Sequence, residues 1–159
     1  MEHRHNAPVQ DTQRREWTER PGHYAVVQTR VATFPNPAAG VDAIAVVPSN
    51  VRWEVQNLGA LLTTSAAVAN RVVHLIVDDG QGNQVYNFPA SQNQVAASAV
   101  QYSAGVSTMV VSFDSATMLV LPFPLHLSPG WRIGFKTTLL DAADQWTKFA
   151  MITKEWINF

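Results

Sequence analysis

Two aromatic side chains could form a sugar-binding platform. Trp146 follows Asp144 and Gln145 at the predicted edge of a loop, and Tyr102 lies in a predicted strand. An exposed indole flanked by acidic and amide groups is typical of carbohydrate-binding β-proteins, because an aromatic ring with polar neighbours suits a partly wet contact. Tyr102 and Trp146 are therefore the candidate glycan-facing residues. The alternative is that Trp146 is a core residue, which is the interpretation that the strand positions favour for Trp53, Trp131 and Trp156.

Two acidic clusters could carry out other chemistry. Asp141 and Asp144 could flank a glycosidic bond, since glycosidases use two carboxylates, but three residues apart in a loop they fit solvated turn residues better. Oxygen-bearing side chains alternate at Asp79, Gln81 and Asn83, as in a calcium loop. The glutamate that completes an EF-hand is missing, so the pattern favours a turn.

The remaining residue types give little support to catalysis. The chain has no cysteine, which excludes disulfides and thiolate chemistry, and it contains no nucleophile elbow, zinc-protease motif or phosphate loop. His3 and His5 have no evident third metal ligand, and His74 and His126 fit strand positions. We therefore predict no catalytic residue, no metal site, no cofactor and no enzymatic activity.

The charges are concentrated at one end of the chain. The 159 residues, enough for one domain, carry 11 basic and 12 acidic side chains, and eight of these 23 charges lie in residues 1–23. A body so poor in charge indicates a surface that partners cover, since interface cores are depleted in Lys, Glu and Asp. The net charge of −1 argues against binding to nucleic acid. No apolar run is long enough for a membrane span. An obligate oligomer is therefore favoured, with a merely polar monomer as the alternative.

Residues 1–24 are predicted to form an extended N-terminal arm. Residues 11–20 could form a short helix with Trp17 as its one large apolar group, which would need a surface to dock on. The arm is either a frayed terminus or a segment that becomes ordered on a partner. In the second case the predicted docking residues are Arg14, Arg15, Trp17 and Arg20.

Residues 25–159 are predicted to form a single all-β domain. Short β-rich segments separated by turn signals recur along the whole body, which is typical of a β-sandwich, here jelly-roll-like. In the predicted strand 51–63, apolar residues alternate at Val51, Trp53 and Val55, and the alternation changes phase before Leu58. This change of phase predicts a β-bulge at 57–59. The predicted strands are 25–34, 42–47, 51–63, 71–77, 84–88, 99–103, 106–113, 117–123, 131–138 and 146–157.

An ordered set of short motifs resembles small virion proteins of tailed bacteriophages. The set is Val51-Arg52-Trp53, then Asn70-Arg71 before VVHLIVDDGQGN, then LHLSPGWRIGFKT and DAADQW, covering roughly residues 46–157. The resemblance implies an all-β subunit that assembles as an oligomer on the virion, often as a cement or decoration protein of the capsid.

This resemblance implies a non-enzymatic function on the capsid surface. The expected partners are the major capsid protein, or another virion protein, and further copies of the chain, with a homotrimer favoured by the local three-fold axes of a shell. The alternative function is a carbohydrate-binding or host-adhesion β-sandwich of a tail or fibre component.

Overall fold

The computed structural model of the protein describes residues 26–105, 116–121 and 124–157. These residues form ten β-strands, and no helix occurs among them. The strands are β1 (Val26–Thr33), β2 (Ala43–Val46), β3 (Val51–Thr63), β4 (Val72–Asp78), β5 (Gln84–Pro89), β6 (Ala99–Gly105), β7 (Ala116–Val120), β8 (Leu125–Leu127), β9 (Arg132–Thr138) and β10 (Gln145–Ile157). The all-β prediction is confirmed. The predicted arm and the predicted strand at 106–113 lie outside the described residues.

The strands form two sheets. The larger sheet has the order β1-β10-β3-β6-β7, with β8 also paired to β3, and the smaller has the order β2-β9-β4-β5. All pairings are antiparallel except that between β6 and β7. The pairs nest along the chain: β1 with β10, β2 with β9, β3 with β6, and β4 with β5.

The two longest strands change phase where they pair. Ile152 lies opposite Asn57, and the next residue, Thr153, lies opposite Val55, so Gln56 is an extra residue in β3. The extra residue turns Val55 and Leu58 to the same buried face, although they are three positions apart. The predicted bulge is thus confirmed, one residue earlier than the predicted window. A second register shift lies in β10, between Thr147 and Ala150.

Aromatic side chains from both sheets meet in the core. Phe135 of β9 stacks on Trp146 of β10 with ring centroids 5.5 Å apart, and Tyr102 of β6 lies 6.2 Å from the same phenyl ring. Phe149 packs against Phe135 at 6.4 Å. These contacts join the buried faces of the two sheets into one hydrophobic core, which also fixes which face of each sheet points outward.

One glycine allows two strands of the smaller sheet to approach each other closely. A Cβ atom on Gly134 would lie 2.0 Å from the carbonyl oxygen of Ala43, which belongs to the backbone of β2. No flexible side chain is available to move away, so any larger residue would displace β2. Glycine at this position therefore keeps β2 on the sheet.

Candidate interaction surface

The two candidate glycan-facing residues are core residues. Trp146 is 0% exposed and Tyr102 is 1% exposed, so neither ring can stack on a sugar that arrives from solvent. Burial raises the pKa of Tyr102 to about 12, so its hydroxyl stays neutral at ordinary pH. The expectation of an exposed platform was wrong because both side chains follow the alternation of their strands and face the opposite sheet.

The carboxylate of Asp144 is also buried, against the expectation of a solvated turn residue. It accepts two hydrogen bonds from Arg71, from Nε at 2.8 Å and from Nη2 at 3.0 Å. It also accepts hydrogen bonds from the backbone amides of Ser65, at 2.7 Å, and Asp141, at 2.8 Å. The side chains of Arg71 and Asp144 are both 0% exposed. This pair joins the loops before β4 and β10, and it leaves Asp144 no open position to act as a catalytic acid.

The buried ion pair should make stability depend on pH. Burial by itself raises the pKa of Asp144, but the hydrogen bonds from Arg71 and the two backbone amides outweigh it and hold the pKa below its ordinary 3.8. An acidic group whose pKa is lower in the folded state stabilises the fold at any pH above its pKa in the unfolded state. This stabilisation is lost as the pH falls through the pKa of the folded state. Urea unfolding should therefore show Asp144→Asn to be less stable than the parent at pH 7, with the gap constant down to the unfolded-state pKa of 3.8 and shrinking as the pH falls below it. A gap that is independent of pH would contradict this.

The other candidate chemical groups have structural partners. Asp79 accepts hydrogen bonds from the amides of Gln81 and Asn83 at 2.8 and 3.1 Å, which confirms the turn interpretation. His74 pairs with Asn87 through Nδ1 at 2.7 Å. Among the described residues, no three His, Cys, Asp or Glu side chains are grouped closely enough to bind a metal ion. The same part of the chain contains no helix that could span a membrane.

The outward face of the larger sheet is the broadest surface that these elements build. Because opposite residues of neighbouring strands point to the same side, the register defines rows of side chains across the face. Three successive rows carry no charged residue at their paired positions, and we call these positions the uncharged block. The rows are Val31–Ile152–Asn57–Gly105, Thr33–Ala150–Gly59–Ser103 and Thr147–Leu61–Gln101. The exposed Lys148 lies in the bulge of β10 between the second and third rows.

The uncharged block is partly apolar and contains several small residues. Its centre consists of small residues, Ala150, Gly59 and Ser103, while Val31 is 66% exposed and Ile152 is 39% exposed near β1. The four strands have 8, 13, 13 and 7 residues, and at about 3.3 Å per residue and about 4.8 Å between strands the whole outward face measures roughly 650 Å². One partner contributes roughly 600–1,000 Å² to a standard protein interface, so the face lies at the lower end of the size needed for a specific contact.

A charged cluster limits the block at one end. The carboxylate of Glu54 accepts a hydrogen bond from Lys154 at 3.0 Å and lies 4.0 Å from Nε2 of His126. The hydrogen bond from Lys154, with the charges of Lys154 and His126, lowers the pKa of Glu54. The charges therefore compensate one another outside the block.

The outward face of the smaller sheet is different. Lys136 lies opposite His74, and Arg132 donates a hydrogen bond from Nε to Asp78 at 2.7 Å. Charged residues therefore lie on β4 and β9, the two central strands of this sheet, so this face is a less favourable surface to desolvate.

Sequence reasoning predicted a covered surface but not its place. The low charge of residues 24–159 was the signal for it, and a covered surface stays a prediction. The strand order brings β10 between β1 and β3 and aligns their uncharged positions. The predicted docking residues Arg14, Arg15, Trp17 and Arg20 lie outside the described residues, so their role stays a prediction. Comparisons with protein-family models, curated proteins and solved structures find no match to this chain.

Proposed function

We propose that the protein is a non-enzymatic structural component of a virion, a capsid cement or decoration protein that binds the assembled head as an oligomer, most simply a trimer. The observation that carries this proposal is the uncharged block on the outward face of the larger sheet. Such a surface can be desolvated at low cost because its paired positions hold no charge and its small residues allow close backbone approach. The long side chain of Lys148, in the bulge beside them, can keep its ammonium group in water. Binding only to the assembled shell would stabilise that shell by mass action.

The strand order supports the proposed class of protein. With β7 and β8 set aside, the orders β1-β10-β3-β6 and β2-β9-β4-β5 match those expected from rolling up four nested antiparallel pairs, which supports the proposal of a jelly-roll-like sandwich. Jelly rolls occur in viral capsid proteins and in lectins. Because a fold is compatible with several functions, the surface and not the topology must decide between them.

The alternative of a carbohydrate-binding or host-adhesion domain is less well supported. The two residues that suggested it, Tyr102 and Trp146, are buried. The resemblance of residues 46–157 to phage virion proteins adds a reason to favour attachment to a capsid.

A charge placed in the uncharged block should abolish binding to heads. Ala150 faces outward between Thr33 and Gly59, so Ala150→Lys should leave the core intact and weaken binding by 100-fold or more, because a buried unpaired ammonium costs several kcal/mol. The assay is cosedimentation with heads that lack the protein, prepared from the phage that encodes it. Ala66→Lys, on an exposed loop, is the matched control and should bind like the parent.

The same assay tests the arm and the whole proposal. Removing residues 1–23 should also reduce binding if Arg14, Arg15, Trp17 and Arg20 dock on the shell. Equal binding by Ala150→Lys and Ala66→Lys would reject the uncharged block as the contact. Failure of the parent chain to bind any head would reject the virion function.

A further inference from the structure

We infer that the open edge of β1 pairs with β1 of a second copy, antiparallel and about a two-fold axis at Thr29, so that the larger sheets of two copies join into one. This goes beyond the proposed function, because the pairing depends only on β1 and would hold whatever the complex binds.

The edge of β1 that faces away from β10 has no strand beside it in the described part of the chain. It is eight residues long, and it holds no proline and no bulge. Its single charged side chain, Arg30, points to the core side and lies 3.6 Å from the buried carboxylate of Glu155, which compensates the charge. Long edges without protective features are templates for pairing with another strand.

Hydrogen-bond direction shows which residues offer backbone groups to a partner. Phe34 donates its amide to the carbonyl of Phe149 at 2.9 Å, one position beyond the Thr33–Ala150 pair. Successive residues of an antiparallel strand direct their backbone groups alternately toward and away from the neighbour. The even-numbered residues of β1 therefore bond to β10, and the odd-numbered residues direct N–H and C=O groups to the open edge.

Two symmetric registers use most of the strand. In the register centred on Thr29, Val27 lies opposite Val31 of the second copy, and Gln28 lies opposite Arg30 of the second copy. In the register centred on Arg30, two guanidinium groups lie opposite each other, which is unfavourable. The Thr29 register is therefore preferred, and it aligns outward-directed backbone groups with one another.

This register also covers apolar surface. Val27 and Val31 are 55% and 66% exposed, and both lie on the outward face. Pairing brings each valine against the other valine of the second copy. The row that begins with Val31 continues into the row of the second copy that contains Val27 and Trp156, so the two uncharged blocks lie on opposite sides of the two-fold axis. Because the contact uses only the edge of the sheet, the face itself stays free for a shell or for three-fold contacts.

The register can be tested by cysteine cross-linking, since the chain has no cysteine of its own. Gln28→Cys and Arg30→Cys are prepared separately and then mixed under mild oxidation. In the Thr29 register the two positions form a non-hydrogen-bonded pair with Cα atoms about 4.5 Å apart, within disulfide range. The mixture should yield a disulfide-linked dimer that contains one copy of each variant, and neither variant should link efficiently to itself.

Two controls make the outcomes decisive. Val46→Cys, which is 55% exposed on an edge strand of the smaller sheet, measures random collision when it is mixed with Gln28→Cys. Thr29→Pro removes an amide that points to the open edge and not to β10, so it should shift the sedimentation mass towards the single chain. Self-linking of Arg30→Cys would overturn the register. A yield of linked dimer no higher than that with Val46→Cys would overturn the pairing, and so would an unchanged sedimentation mass for Thr29→Pro. Loss of head binding would reject only the proposed function.

Discussion

Replacing Arg71 with methionine is expected to lower the free energy of unfolding by about 3–5 kcal/mol. The carboxylate of Asp144 would stay buried but lose both guanidinium hydrogen bonds, and the carbonyls of Ala67 and Ala69 would lose their donor. An uncompensated charge in the interior is the main cost, because the low-dielectric surroundings cannot solvate it. Urea denaturation followed by tryptophan fluorescence measures the effect.

A surface ion pair and a double variant provide the comparisons. Arg132→Met breaks the pair with Asp78, in which the arginine side chain is 41% exposed, and should cost only about 1 kcal/mol. Adding Asp144→Asn to Arg71→Met should recover part of the loss, since the buried charge is then gone while an amide oxygen remains to accept a hydrogen bond. Similar losses for Arg71→Met and Arg132→Met would show that burial does not determine the cost.

Trp146→Ala is expected to cost about 3–5 kcal/mol of unfolding free energy. The side chain is fully buried and contacts Phe135 and Tyr102, at centroid distances of 5.5 and 5.7 Å, so its removal leaves a cavity between the two sheets. Trp146→Phe should cost less than about 1.5 kcal/mol, because it keeps an aromatic ring and removes the indole N–H, a buried donor without a hydrogen-bond partner.

Trp156→Ala is the matched control. Trp156 is only half-buried on the outward face, so truncation there should cost roughly 1–2 kcal/mol. Equal losses at Trp146 and Trp156 in chemical denaturation would contradict the assignment of Trp146 to the centre of the core.

The strands were predictable because their signals are local. Alternation in β3 predicted both its length and its bulge, and the Asp79–Asn83 turn formed as its residue types indicated. The positions of Trp146 and Asp144 were not predictable in this way. Both residues adjoin a polar loop, which indicates exposure, but Arg71 reaches Asp144 from a distant part of the chain and the opposite sheet covers Trp146. Nothing in the local sequence reports on either partner.

The place of β10 in the larger sheet determines the order of folding. β10 is the last described strand along the chain, but it lies between β1 and β3 and pairs with both. While a ribosome synthesises the earlier strands, β1 has no neighbour on either side and β3 has one open edge along most of its length. The larger sheet can close only after β10 has been synthesised, so its folding is expected to be slow, as is usual when the pairing residues are far apart in sequence. Until then, the nascent chain exposes the strand edges that are most prone to aggregation.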